Sequence, residues 1–267
     1  MISRDSTETI TFILPCAGEG RRLGYDGLKE LYPILPGVKL IDFSLEHIAA
    51  SHKWLEDFSN QRPRVVLTVR PWKMDIIDHV RQKLPDMMVD HVLFDETLFE
   101  WPGSVHSARN LYGDINIVLL PDSWMALSAE NSLIDSAGRP VLYHMIRCLE
   151  NHSVAFGYRR CDDADTLSRL GAVHVTEGSG DISIIDRFQD KPKLGHDKFN
   201  GYWCCYGFRL ESAEILYRFL RRSILHESAD IRDEAFYPAA AFPVADYRDL
   251  GDPISVQEFR TSHIALE

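Results

Sequence analysis

Hydrophobic and polar positions follow two rhythms along most of the chain. Short unbroken apolar runs, "ITFILP", "RVVLTV" and "INIVLL", are set between stretches whose apolar residues recur at helical spacing. The first rhythm predicts strands at Thr9–Pro15, Arg64–Val69, Val89–Phe94 and Ile115–Leu120. The second predicts helices at Lys39–Leu55, where Ile41, Leu45 and Ile48 share a face, at about Trp72–Leu84, and at Ser104–Leu111. A strand that is apolar at nearly every position has both faces covered. The alternation therefore points to an α/β fold with a Rossmann-like, mixed but mainly parallel sheet flanked by helices. Ligands of such sheets gather beyond the carboxyl ends of the strands.

After Asp122 the rhythm loosens. A helix is expected over Val141–Leu149, a strand over Ser153–Tyr158 and a short helix near Ala164–Leu170. Ala172–Val175 and Ile182–Phe188 flank "TEGSGD", a hairpin signal. Tyr202–Phe208 reads as a strand, Glu211–Ser223 as an amphipathic helix, and "VADYRDLGDPISVQEF" as a turn and a short helix with Pro253 at its first position. With no linker, internal repeat or low-complexity tract, residues 1–267 are expected to form one domain.

Composition narrows the class. With 45% hydrophobic and 26% charged residues, the 267-residue chain has ample material for a core. A formal net charge of −11 argues against a nucleic-acid partner held by phosphate neutralisation, although a few local cations can still govern one pocket. No apolar run approaches a membrane span, and "MISRDSTET" has no apolar signal core, so no membrane partner is expected. The five cysteines are odd in number and form no C-x-x-C pair, which suits a reduced cytoplasmic protein without a zinc or disulfide framework. Cys204 and Cys205 are neighbours in an expected strand and should point to opposite faces.

The densest chemistry comes after the first strand, in "CAGEGRRLG" and "YDGLKELYPI". Gly18 and Gly20 let backbone N–H groups approach anionic oxygens, Arg22 can grip a phosphate with two prongs, and Lys29 adds a point charge. The spacing is not that of a P-loop, which needs four residues between its glycines and then Gly-Lys-Ser/Thr. Nor is it G-x-G-x-x-G, since Gly24 comes one residue late. Tyr25 and Lys29 form Y-x-x-x-K, but directly after the loop, where a short-chain dehydrogenase does not carry it.

The loop and the lysine segment after it resemble the signature of the sugar-phosphate nucleotidyltransferases, the NDP-sugar pyrophosphorylases: A-G-x-G-T-R-L, then P-K-x-x-x-P-I. Gly18, Gly20, Arg22, Leu23, Lys29, Pro33 and Ile34 match it. "GVKLIDFSLEHI" is similar to the family's next helix, and "WPGSVHSA" to the helix start beside the nucleotide, which implies roles for Gly103 and Ser104. "IVLLPDSW" resembles the strand whose final aspartate binds magnesium, here Asp122, and "YRDLGDP" the segment with the second metal ligand, here Asp249. "LGAVHV" places Gly171 near the sugar, and "DRFQDKP" puts Asp190 and Lys191 where the family contacts sugar hydroxyls and phosphate.

The resemblance implies Mg²⁺-dependent joining of a nucleoside triphosphate and a sugar 1-phosphate, or a related phosphorylated metabolite. About 9–123 would form the nucleotide half and about 124–253 the sugar-phosphate half, with no room after Pro253 for an appended β-helix domain. Ala17, Gly18, Glu19, Gly20 and Arg21 would line the nucleotide, Arg22, Lys29 and Asp122 would be catalytic, Gly171, Asp190 and Lys191 would hold the acceptor, and Asp122 with Asp249 would bind the metal. Assembly into a homo-oligomer stays open. Arg21, Pro121 and Ser123 depart from the family's usual residues, Asp190 is a methylene shorter than its glutamate, and no glutamine stands near Glu96–Phe99, where some members read a pyrimidine. A nucleotide sensor without turnover and an NAD(P)-dependent oxidoreductase are the rival readings.

Overall fold

The computed structural model describes residues 8–57, 62–178, 181–193, 195–225 and 230–264. Strand β1 (Ile10–Pro15) runs buried through the middle of the first half. After it come a small hairpin, β2 (Pro33–Leu35) and β3 (Val38–Lys39), helix α1 (Asp42–Glu56), β4 (Arg64–Val69), α2 (Asp75–Lys83) and β5 (Met88–Leu93). Helix α3 (Glu100–Ser107) and β6 (Ile115–Val118) complete that half. The second half begins with strand β7 (Ser123–Ala126), α4 (Val141–Leu149), β8 (Val154–Arg160), α5 (Ala164–Leu167), β9 (Gly171–Thr176) and β10 (Ser183–Asp190). The chain continues through β11 (Gly201–Arg209), α6 (Ala213–Ile224), β12 (Ala239–Pro243), β13 (Asp246–Asp249) and α7 (Pro253–Ile264).

Nine strands form one mixed sheet in the order β5-β4-β1-β6-β11-β8-β12-β10-β9. The pairs β5–β4, β4–β1 and β1–β6 are parallel, as expected. In the second half only β8–β12 is parallel among the described residues. The neighbours β6–β11, β11–β8, β12–β10 and β10–β9 are antiparallel, so the sheet is not mainly parallel. Of these, only β9 and β10 are joined by a hairpin; the other antiparallel pairs bring together strands from distant parts of the chain. The turn of the "TEGSGD" hairpin includes residues 179 and 180, outside the described residues, and its two strands pair antiparallel.

Alternation along β1 explains its unbroken apolar run. Phe12 and Leu14 pack into a core with Leu45 and Ile48 of α1, while Ile13 enters a second core with Val105 of α3 and Phe219 of α6. Each such large side chain, fully buried, contributes about 1.5–3 kcal/mol. A bulge in β11 between Trp203 and Cys205 breaks the strict alternation. Trp203 joins the second core, while Cys204 and Cys205 both lie in the first rather than on opposite faces.

A third, smaller core decides where the chemistry sits. Antiparallel β7 and β13 pair with Asp249 opposite Ser123, and Leu250 N–H donates to the Asp122 carbonyl at 2.8 Å. Trp124, Ala126 and Leu250 then pack with Leu23, Phe43 and Phe259. Pro253 opens α7 as expected, and Asp252 caps it by accepting from the Ile254 and Ser255 N–H groups, both at 3.0 Å. Among the described residues, no helix is long and apolar enough to cross a membrane.

Candidate functional site

Beyond Pro15 the chain bends into a short helical turn, Arg21–Leu23, bounded by Gly20 (φ 70°) and Gly24 (φ 62°) in the left-handed region. Gly20 has a second constraint, since a Cβ there would lie 2.7 Å from the Lys29 Cβ. Leu23, 5% exposed, anchors the turn in the third core and leaves Arg21 and Arg22 exposed at the mouth. Arg21 pairs with Glu19.

Lys73 holds the loop from below. Only 2% exposed, its ammonium donates to the Cys16 carbonyl at 2.9 Å, the Gly18 carbonyl at 2.5 Å and both Glu30 carboxylate oxygens at 2.7 and 2.9 Å. Glu30 is equally buried. Burial raises its carboxyl above the ordinary value despite the opposing pull of Lys73. Burial likewise pushes the Cys16 thiol far up, with Glu30 adding to the shift, so this cysteine under the loop is no nucleophile.

The loop opens onto a cavity of about 760 Å³ at the carboxyl ends of β1, β4 and β6. Lys29 reaches across and pairs with Asp122. Burial disfavours the Asp122 charge, but the Lys29 ammonium beside it and Arg22 further off outweigh that and hold its carboxyl below the usual range. Asp249 moves the other way: burial, then the charge of Asp122, raises its carboxyl. Gly251 sits between these groups. A Cβ there would lie 2.8 Å from Asp249 Oδ1, 3.0 Å from an Arg22 guanidinium nitrogen and 3.5 Å from Asp122 Oδ2.

Among the described residues no group of three or more His, Cys, Asp or Glu gathers as a metal site. Asp122 and Asp249 nevertheless fit Mg²⁺, which is commonly held by one or two carboxylates plus phosphate oxygens. Burial first, and then the charge of Asp122, keep the Asp249 carboxyl raised, and the nearby cations only partly offset them.

The opposite wall comes from the second half. Lys191, on a left-handed backbone (φ 44°), donates its N–H to the Leu170 carbonyl at 3.1 Å. Buried Asp190 donates its N–H to Ser223 Oγ at 3.0 Å. The Trp203 indole lies directly on Gly171, where a Cβ would come within 1.7 Å of Nε1. Gly171 is therefore the floor under an indole. Trp203 Nε1 is buried without a hydrogen-bond partner, as is Ser104 Oγ, and both residues line the cavity.

The fold thus brings the sequence-predicted residues of the loop, Ala17 to Arg22, into one cavity wall with Lys29, Ser104, Asp122 and Asp249, and sets Gly171, Asp190 and Lys191 across from them. Gly103 is not in the wall; it lets α3 pack on Leu98, whose Cβ would lie 2.8 Å from an added methyl. Sequence reasoning missed Arg70, Lys73, Glu100, Trp101 and Arg169, and Trp203, packed in the second core, also lines the cavity. Arg70 comes directly after β4, so its place at a strand's carboxyl end was a usable signal. Nothing in "RPWK" marks Lys73 as buried.

No family model matches the chain, and no curated protein matches its sequence. Solved structures share its fold. An apo UDP-glucose pyrophosphorylase superposes with a TM-score of 0.68 at 12% identity, over 96% of this chain and 98% of that one. A UTP-bound UGPase from Acinetobacter baumannii gives 0.68 at 14% identity, over 96% and 93% of the two chains. A putative glucose-1-phosphate thymidylyltransferase from Bacillus anthracis gives 0.65 at 13%, over 95% and 94%. The resemblance seen in the motifs thus extends to the fold along nearly the whole chain.

Proposed function

We propose that this protein is a nucleotidyltransferase that joins a nucleoside triphosphate to a sugar 1-phosphate, giving an NDP-sugar and pyrophosphate, within one Rossmann-like domain. The observation that carries the reading is a single cavity with the cationic glycine loop and the Asp122–Asp249 pair on one wall and Asp190, Lys191 and Gly171 on the other. An oxygen of the sugar phosphate attacks the α-phosphorus. The new P–O bond forms as the bond to the bridging oxygen breaks, and its electron pair leaves with pyrophosphate.

Such a transfer needs positioned charge rather than a protein nucleophile. The Gly18–Gly20 amides and Arg22 hold the triphosphate, with Arg21 at the rim. Lys29 uses one of its three donors on Asp122 and has two for phosphate oxygens near the reacting centre. Lys191 steers the incoming phosphate, and Asp190 accepts from acceptor hydroxyls. Asp122 and Asp249 would hold Mg²⁺, which supplies charge neutralisation on the phosphates. All five cysteines are free, in keeping with a reducing cytoplasm as the place of reaction.

The test is pyrophosphate release from each common nucleoside triphosphate with Mg²⁺ and a panel of sugar 1-phosphates. Release should need both substrates and fall about 100- to 1,000-fold in Lys29→Ala. Release without an acceptor, or undiminished in that variant, would sink the reading. Binding without release across the panel would favour a nucleotide sensor.

A further inference from the structure

One stretch of the cavity wall has no part in the transfer chemistry. Glu100 and Ser104 stand four residues apart on α3, share a face of it, and both line the cavity. The Ser104 hydroxyl is buried without a partner. Glu100 has a left-handed backbone (φ 53°), costly for a residue with a side chain and kept where the surroundings hold it. The other carboxylates of the cavity are engaged. Arg21 pairs with Glu19, Lys73 with Glu30, Arg70 with Glu96 and Lys29 with Asp122, while Asp249 accepts from Gly251 N–H and Asp190 has a partner too. The exposed Glu100 carboxylate makes no hydrogen bond or ion pair among the described residues, and no asparagine or glutamine among them lines the cavity.

This inference rests on the transferase reading, which sets the phosphates at the glycine loop; the cavity lining next to that loop, Arg70, Phe94, Glu96, Leu98, Glu100 and Ser104, then leaves room for the base toward α3 and the ends of β4 and β5. There the geometry points to guanine as the base, read by Glu100. A carboxylate only accepts hydrogen bonds, and it has two oxygens side by side. Guanine presents two adjacent donors, N1–H and the 2-amino group, that match them. Uracil and thymine present one N–H between two carbonyl oxygens, which a carboxylate repels. Adenine and cytosine set their amino group beside a bare ring nitrogen. Ser104, one turn along, brings a hydroxyl donor for the O6 next to guanine's donor pair. Arg70, held by the Ala17 carbonyl at 2.8 Å, packs its guanidinium against the Phe94 and Trp72 rings at 5.0 and 5.4 Å.

Calorimetric titration with GTP, ITP, ATP, UTP, dTTP and CTP tests this without requiring turnover. GTP should bind about 10- to 100-fold more tightly than the pyrimidine triphosphates and ATP. ITP, which lacks the 2-amino group, should fall between. Glu100→Gln should weaken GTP about tenfold and leave UTP unchanged. Glu100→Gly relieves the left-handed backbone, so it should raise Tm while losing the same preference, which separates recognition from folding. UTP or dTTP binding as tightly as GTP, or a GTP/UTP ratio unmoved in Glu100→Gln, overturns the assignment. Pyrophosphate release from UTP in preference to GTP sustains the transferase and sinks guanine. Tight GTP binding without release from any acceptor does the reverse, and no triphosphate binding at all removes both.

Discussion

The wall carrying Gly18, Gly20 and Lys29 and the wall carrying Gly171, Asp190 and Lys191 face the same space but are held by different means. The first is clamped by charge: Lys73 and Glu30 lie buried under the loop, and Lys29 is paired with Asp122. The second is held by volume, with the Trp203 indole pressed on Gly171 and rings of Phe188 and Trp101 at 6.3 and 5.2 Å from it. A surface that must meet a triphosphate needs its donors kept still, whereas a surface that selects an acceptor needs a shape. Loss of the buried charge under the loop should therefore disable the first wall, and added bulk at Gly171 should reshape the second.

The largest effect should come from Lys73→Met. It leaves the Glu30 carboxylate buried and unpaired, at a cost of about 3–5 kcal/mol. Urea melts should show that loss, and the double variant Glu30→Gln/Lys73→Met should recover most of it. Triphosphate affinity should stay weak in the double variant, because the Cys16 and Gly18 carbonyls have still lost their donor. Full recovery of binding would make the clamp a stability device only.

Gly171→Ala should cost about 1–3 kcal/mol by overpacking against the indole. Its mark on function should be a raised KM for the sugar phosphate with the triphosphate KM unchanged. The opposite pattern would break the division between the walls.

A smaller effect separates the two aspartates. Asp249 holds its proton more tightly in the folded chain, so its contribution to stability falls as pH rises from the ordinary carboxylate range through its raised value. Asp122 is shifted down, so its contribution is present above the ordinary value and fades as pH falls through the folded one. At neutral pH Asp249→Asn should therefore gain about 0.5–2 kcal/mol in urea melts. Asp122→Asn should lose stability, and both differences should shrink in the acid range. A destabilised Asp249→Asn would mean that the pair is already neutralised in the folded protein.

Much of this was legible along the chain. The apolar runs of β1 and β4, the glycine turn and the Pro253 helix start each depend on neighbours within a few residues. Helix α3 was expected to start at Ser104 and begins instead at Glu100, whose backbone is left-handed. Strands β7, β12 and β13 went unrecognised: each is only four or five residues long, and their ladders are set by partners distant in sequence.

Residue types and short spacings were enough to mark the phosphate loop, its cations and the candidate metal aspartates, since glycines and charges act through local backbone freedom and fixed charge. What needed the assembled fold was which charges are buried, which are already paired and which donors lack a partner. Lys73 under the loop, Trp203 on Gly171 and Glu100 free in the cavity differ from any other lysine, tryptophan or glutamate only in what surrounds them. Burial and pairing arise where segments far apart in the chain converge, and no local pattern carries that information.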